Sequence, residues 1–116
     1  MDIVQIDLQQ LRIKHIFFKT RVRAILYGGT YDASLFSPQS PVDIWFSTTG
    51  SQRYAGSAEV MKLSRLHQSL VFSGRTLYRQ YIAGNIEQAH DEMKNIDSLS
   101  EQFLALLSQM EQGTKA

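Results

Sequence analysis

The sequence predicts an all-α protein, a four-helix bundle with three long helices and one short helix. Three observations carry this. Apolar residues recur in steps of three and four along three long stretches. Residues suited to helix caps stand at the ends of those stretches. No apolar/polar alternation runs long enough to build a sheet. A chain of 116 residues suffices for one domain with its own core, so the whole span 1–116 is read as a single helical-bundle domain.

The first long helix covers residues 3–27, with the seam Val4, Leu8, Leu11, His15, Phe18, Val22 and Ile25. Asp2 is its expected N-cap, and Gly28-Gly29 ends it. A loop rich in Gly, Ser, Pro and Thr then runs to Ser40. "SPVDIWF" opens the short helix, expected from Pro41 to about Ser47. Ser40 is a good N-cap, Pro41 suits the first helical position, and Asp43 places an acid at the positive helix end. Ile44, Trp45 and Phe46 follow as an apolar trio, and "STTGSQRYAG" reads as loop again.

The second long helix is expected from near Ser57 to Gly84-Asn85, with the seam Val60, Leu63, His67, Leu70, Gly74, Leu77 and Tyr81. The third runs from Ile86 to about Gln112, with the stripe Ile86, Ala89, Met93, Ile96, Leu99, Phe103, Leu106 and Met110. The tight Gly84-Asn85 link makes these two an antiparallel hairpin.

Composition narrows the function classes. A hydrophobic content of 43% with 10% aromatics fits an ordinary globular protein. The net charge of +1 gives no reason to expect nucleic acid or an acidic membrane as partner. The basic cluster Arg12, Lys14, Lys19, Arg21 and Arg23 could suggest an anionic partner, but it avoids the seam and reads more simply as the wet side of the first helix. With no cysteine there are no disulfides, thiol nucleophiles or thiolate ligands. The opening MDIVQIDLQQ is not a signal peptide, and no stretch is long and apolar enough to span a membrane. The expectation is a complete, cytoplasmic small protein. No Ser-His-Asp arrangement with local support, phosphate-binding Gly loop or HExxH motif occurs, so an enzyme is not expected.

The positions of two histidines are the informative feature. His15 and His67 each take a core-seam slot on a different long helix, between large apolar residues. One reading makes both ordinary core histidines, bonded to a carbonyl or hydroxyl. The other has them meet across the core. His90, beside Asp91 and Glu92 and off the stripe, reads as a surface residue.

A histidine on a first long helix, a residue five before a tryptophan on a short helix, and a histidine on the next long helix together resemble the chemoreceptor zinc-binding (CZB) domain family. The resemblance covers most of the chain, including "YIAGNIEQA", similar to the family's late helix-loop-helix connection. It implies a four-helix bundle in which one cysteine and three histidines, from H-x-x-W, C-x-x-G-x-W and H-x-x-x-H stretches, hold one zinc ion. In "KHIFFKT", His15 falls on the first ligand position, with Phe18 at the family's tryptophan. In "SPVDIWF", Trp45 matches the tryptophan, Ser40 falls at the cysteine and Asp43 at the glycine. In "LHQSLVF", His67 matches the first histidine of the pair and Val71 falls on the second. The chain resembles a degenerate member that lacks the ligand cysteine and one ligand histidine.

These departures change the implied chemistry. A closed zinc site wants four ligands, whereas valine offers no lone pair and a neutral serine hydroxyl is a poor ligand. His15 and His67 remain as residual metal positions; Asp43, one turn after Ser40, offers a carboxylate ligand as the lesser alternative and reads first as an acid serving its helix end. No tightly bound cofactor is therefore expected, and any zinc is weak. The resemblance implies a sensory or regulatory domain like those on bacterial chemoreceptors and cyclic-dinucleotide signalling proteins, acting in trans on a signalling partner. The alternative is a docking or dimerisation module with no sensing role. A homodimer is expected, because Ile13, Ile16 and Phe17 on the first helix and Met61 and Phe72 on the second lie outside a single seam. Buried, unmetallated histidines also predict that folding weakens in mild acid.

Overall fold

Asp2 starts the first helix as expected: its carboxylate accepts from the Gln5 amide at 2.9 Å. In the computed structural model, which describes residues 2–113, this helix is α1, Ile3–Ile25. The chain leaves it through Gly28, whose positive φ of 83° suits glycine, and the Gly29 amide returns to the Ala24 carbonyl at 2.8 Å. The following loop contains a 3₁₀ turn, Ala33–Phe36, capped by Asp32, which drops Leu35 and Phe36 into the core.

Ser40 caps α2, Pro41–Trp45. The short helix does not stop at Ser47. It continues through a π-helical turn, Phe46–Gly50, into α3, Ser51–Arg53. Thr48 and Ser51 hydroxyls bond back to carbonyls four residues earlier, at 2.6 and 2.7 Å, and support this wide turn. Part of "STTGSQRYAG" is therefore helical, where Ser, Thr and Gly content predicted loop.

Ser57 caps α4, Ala58–Ile82, and Gly84 at φ 85° turns the chain into α5, Ile86–Gly113. These two form the expected hairpin, and α1 packs against it with the α2–α3 segment laid across one side. Among the described residues there is no strand, so the all-α bundle of three long helices and one short helical run is observed. No helix among them is long and apolar enough to cross a membrane.

The seams of α1 and α4 are buried nearly as predicted, while that of α5 keeps Ala89, Met93, Ile96 and Phe103 but shifts by one residue in its C-terminal half. Its buried line is Ala89, Met93, Ile96, Ser100, Phe103 and Leu107, whereas Leu99, Leu106 and Met110 are half-buried and Ile86 is exposed. The cause is that α5 touches two neighbours. From Ser100 onward its buried face turns toward α1, where Ser100 meets His15, and Leu99, Leu106 and Met110 move to the rim.

Two close contacts lock the fold. Asp7, buried on α1, receives both the Nε and a terminal nitrogen of Arg53 at 2.8 Å and the Tyr54 hydroxyl at 2.9 Å. The Arg53 bond foremost holds its carboxyl below the usual value. The Trp45 indole N–H donates to the Asp7 carbonyl at 3.1 Å, so the lone tryptophan and α3 fasten to the same turn of α1.

The second contact is at Gly74, where an added Cβ would overlap the Phe36 ring. Gly74→Ala gains helix propensity of about 1 kcal/mol and loses about 1–3 kcal/mol to overpacking. A net lowering of the urea midpoint is expected, recovered when Phe36→Leu is added. A midpoint that rises in the single variant would show that the ring moves aside freely.

Candidate functional site: two buried histidines and a serine-aspartate pair

The site grows from helix geometry. The α1 seam delivers His15 and Phe18 inward, and the α4 seam delivers His67, so both imidazoles are fully buried. Ser40 is buried at the start of α2, and its hydroxyl oxygen accepts from the Asp43 amide at 3.1 Å as the cap requires. The same hydroxyl donates its proton to Asp43 Oδ2 at 2.6 Å. Asp43 Oδ2 also accepts from His67 Nε2 at 3.3 Å. A carboxylate only accepts, so His67 carries a proton on Nε2. Asp43 therefore does more than serve its helix end: it brings a carboxylate to a buried imidazole.

His15 lies deeper. Its Nε2 meets the Ser100 hydroxyl of α5 at 2.8 Å, and its ring stacks on Phe103 with centroids 4.3 Å apart. Phe18 stands edge-on to His67 at 5.2 Å, between the two halves of the cluster. Both histidines leave Nδ1 buried with no hydrogen-bond partner among the described residues. Burial pushes the His15 imidazole down to about 4, with the nearby His67 and the cations Lys19 and Arg12 adding to the shift. For Asp43, burial raises the carboxyl's pKa, but the bonds from His67 and Ser40 outweigh it and hold the group below its ordinary value.

Val71, half-buried one turn after His67, lines a cleft of about 220 Å³ together with His67, Asp43, Phe36 and Arg75. Arg75 closes one side by donating to the Phe36 carbonyl. His90 is exposed, as expected of a surface residue. The fold thus gathers His67, Ser40 and Val71 on one side of the core, and His67 is among the neighbours that depress the His15 imidazole.

These donors do not fit a closed zinc site. Val71 supplies no lone pair, the Ser40 hydroxyl is neutral and committed to Asp43, and each Nε2 is already bonded. Among the described residues no group of three or more His, Cys, Asp or Glu side chains is placed to hold a metal ion. The Ser40 hydroxyl donates directly to the Asp43 carboxylate, so the order is serine–aspartate–histidine, in which the imidazole does not touch the serine as it does in a serine–histidine–aspartate triad.

Sequence reasoning missed Ser100 and Asp7. Ser100 follows Ile96 by four and precedes Phe103 by three, so its spacing was a usable signal. Asp7 follows Val4 by three and precedes Leu11 by four, so its spacing too placed it on the inward face of α1. Comparison with protein-family models, curated proteins and solved structures gives no match to this chain.

Proposed function

We propose that this chain is a small sensory or regulatory helical-bundle domain, built like the zinc-binding domain of bacterial chemoreceptors and cyclic-dinucleotide signalling proteins but with weak zinc binding or none. The observation that supports it is the convergence of Ser40 and His67 on one carboxylate, with Val71 lining the cleft beside them. These three residues and His15 fall at the positions the family resemblance assigns to ligands, and they come from three different helical segments. In this reading hydrogen bonds of Asp43 and Ser100 take over the task of orienting the two imidazoles. The domain acts in the cytoplasm, in trans on a signalling protein.

Calorimetric titration of the purified chain with zinc tests the metal half of the reading. Little or no heat is expected; a stoichiometric, tight site would overturn it. Cross-linking in the source cell tests the signalling half, and recovery of receptors or nucleotide-signalling enzymes is the expected outcome. Recovery of the chain alone would favour the pure dimerisation module.

Self-association belongs to the same proposal. Met61 and Phe72 on α4 are 52% and 68% exposed, and Phe72 borders a trough between α4 and α5 that carries both Arg65 and Glu92. A twofold pairing over this trough sets unlike charges together and covers the phenyl ring. Light scattering should give a dimer mass at high micromolar concentration and a monomer mass for Phe72→Glu. A monomeric parent would remove the dimer from the proposal.

A further inference from the structure

α1 carries a second seam on the side away from the core. Ile6, Gln10, Ile13, Phe17, Thr20 and Ala24 follow one another in alternating steps of four and three, nearly opposite the buried line from Leu8 to Ile25. Its large members stay uncovered by the bundle: Ile6 is 42% exposed, Ile13 67% and Phe17 49%, with Ile16 alongside at 47%. A row in this spacing, about 27 Å long at 1.5 Å per residue, is the pattern that receives knobs from another helix.

The charges beside the row say what kind of helix. Lys14 and Arg21, seven residues apart, each follow a seam residue and so occupy the flanking position that faces a partner's charges. Lys14 makes no ion pair among the described residues, and Arg21 lies over the Phe17 ring at 5.8 Å. The opposite flank is basic too, but Arg12 is bound to Glu111, and Lys19 and Arg23 to Asp97. Apart from the N-cap Asp2, α1 has only one acid, Asp7, and that is buried.

We propose that the outer face of α1 is a docking site for an acidic amphipathic helix of a partner protein, seated on Ile6, Ile13 and Phe17 with its flanking carboxylates on Lys14 and Arg21. A second copy of α1 fits poorly. Laid antiparallel it sets Lys14 and Arg21 against themselves, and laid parallel it brings no acid to either. An anionic membrane would meet the charges, but Gln10 and Thr20 interrupt the row with polar groups that a helix can accept and hydrocarbon cannot. The inference does not depend on the zinc-family reading, since it uses none of the buried polar residues.

The test uses two labelled synthetic peptides of three heptads, both with leucine seams, one flanked by glutamate and one by lysine. By fluorescence anisotropy the glutamate peptide should bind the full chain saturably and at least about tenfold more tightly than the lysine peptide. Lys14→Glu with Arg21→Glu should reverse that preference. Ile13→Ser with Phe17→Ser should abolish binding while leaving the circular dichroism unchanged, because these side chains are exposed. Failure of both peptides to saturate, or equal binding of the two, overturns the proposal. So does a dimer that Ile13→Ser with Phe17→Ser dissolves, which would make a second copy the occupant. Binding to phosphatidylserine vesicles that those substitutions abolish, without selective binding of the glutamate peptide, would make it a membrane.

Discussion

Ser40→Cys combined with Val71→His should make the chain retain one zinc ion per molecule through dialysis and raise its melting temperature, with a chelator reversing both. Ser40 and His67 reach the same Asp43 oxygen, at 2.6 and 3.3 Å, so a thiolate at position 40 is within range of an ion held by His67. Position 71 shares the His67 face of α4 one turn on and borders the same cleft. The thiolate would form at a helix start, where the backbone amides lower its pKa. With His15 this completes one sulfur and three nitrogen ligands, a set whose binding free energy reaches about 10–16 kcal/mol in zinc-finger peptides and is coupled to folding. At zinc a hundredfold above Kd, the stabilisation is about 2.7 kcal/mol. Each single variant should bind weakly, because chelation by four ligands is cooperative. A double variant that folds but holds no more zinc than the parent would refute the assignment of ligand positions and remove the main support for the family reading.

Acid should destabilise the fold between pH 6.5 and about 4, and His15 is the group responsible. Its imidazole titrates near 6.5 in the unfolded chain and about 4 in the folded one, first because of burial. Between those values the unfolded chain binds the extra proton, so stability is full above pH 6.5 and falls as pH drops toward 4. The shift corresponds to about 3 kcal/mol at 1.36 kcal/mol per unit. Asp43, whose folded value is lowered, adds its loss below about pH 5, so the decline between pH 6.5 and about 5 is free of it. In His15→Leu the decline across the window should be shallower by that amount. NMR titration of the parent gives an independent check: the His15 ring signals should hold constant down to pH 5. Titration of His15 near pH 6.5 in the folded chain would show that the imidazole is hydrated.

Both outcomes depend on residues whose roles were only partly legible in the sequence. The two histidines were visible as polar intruders in apolar seams, because seam position follows from helical period alone. Their partners were not. Ser100 lies 85 residues from His15, and Asp43 lies 24 from His67 on a different helix, so nothing local joins either pair. Asp43 was read as a helix-end acid, and its amide is indeed capped; the packing of α2 against α4 turned its carboxylate to a second use. The period placed Asp7 inward but could not name its partner, because Arg53 arrives from 46 residues away.

By itself the sequence determined the helices, their caps, the α4–α5 hairpin and the inward faces of α1 and α4. These follow from steps of three and four, and from Asp2, Ser40, Ser57 and Gly84, whose effects reach no further than one helical turn. Tertiary structure alone decided the one-residue shift of the α5 stripe in its C-terminal half, the helical continuation from Trp45 to Arg53 and the partners of the buried polar groups. Each depends on which elements press on a residue from outside its own helix. A 3.6-residue period leaves a helix free to rotate by part of a turn at small local cost, and only the volume of its neighbours fixes that angle.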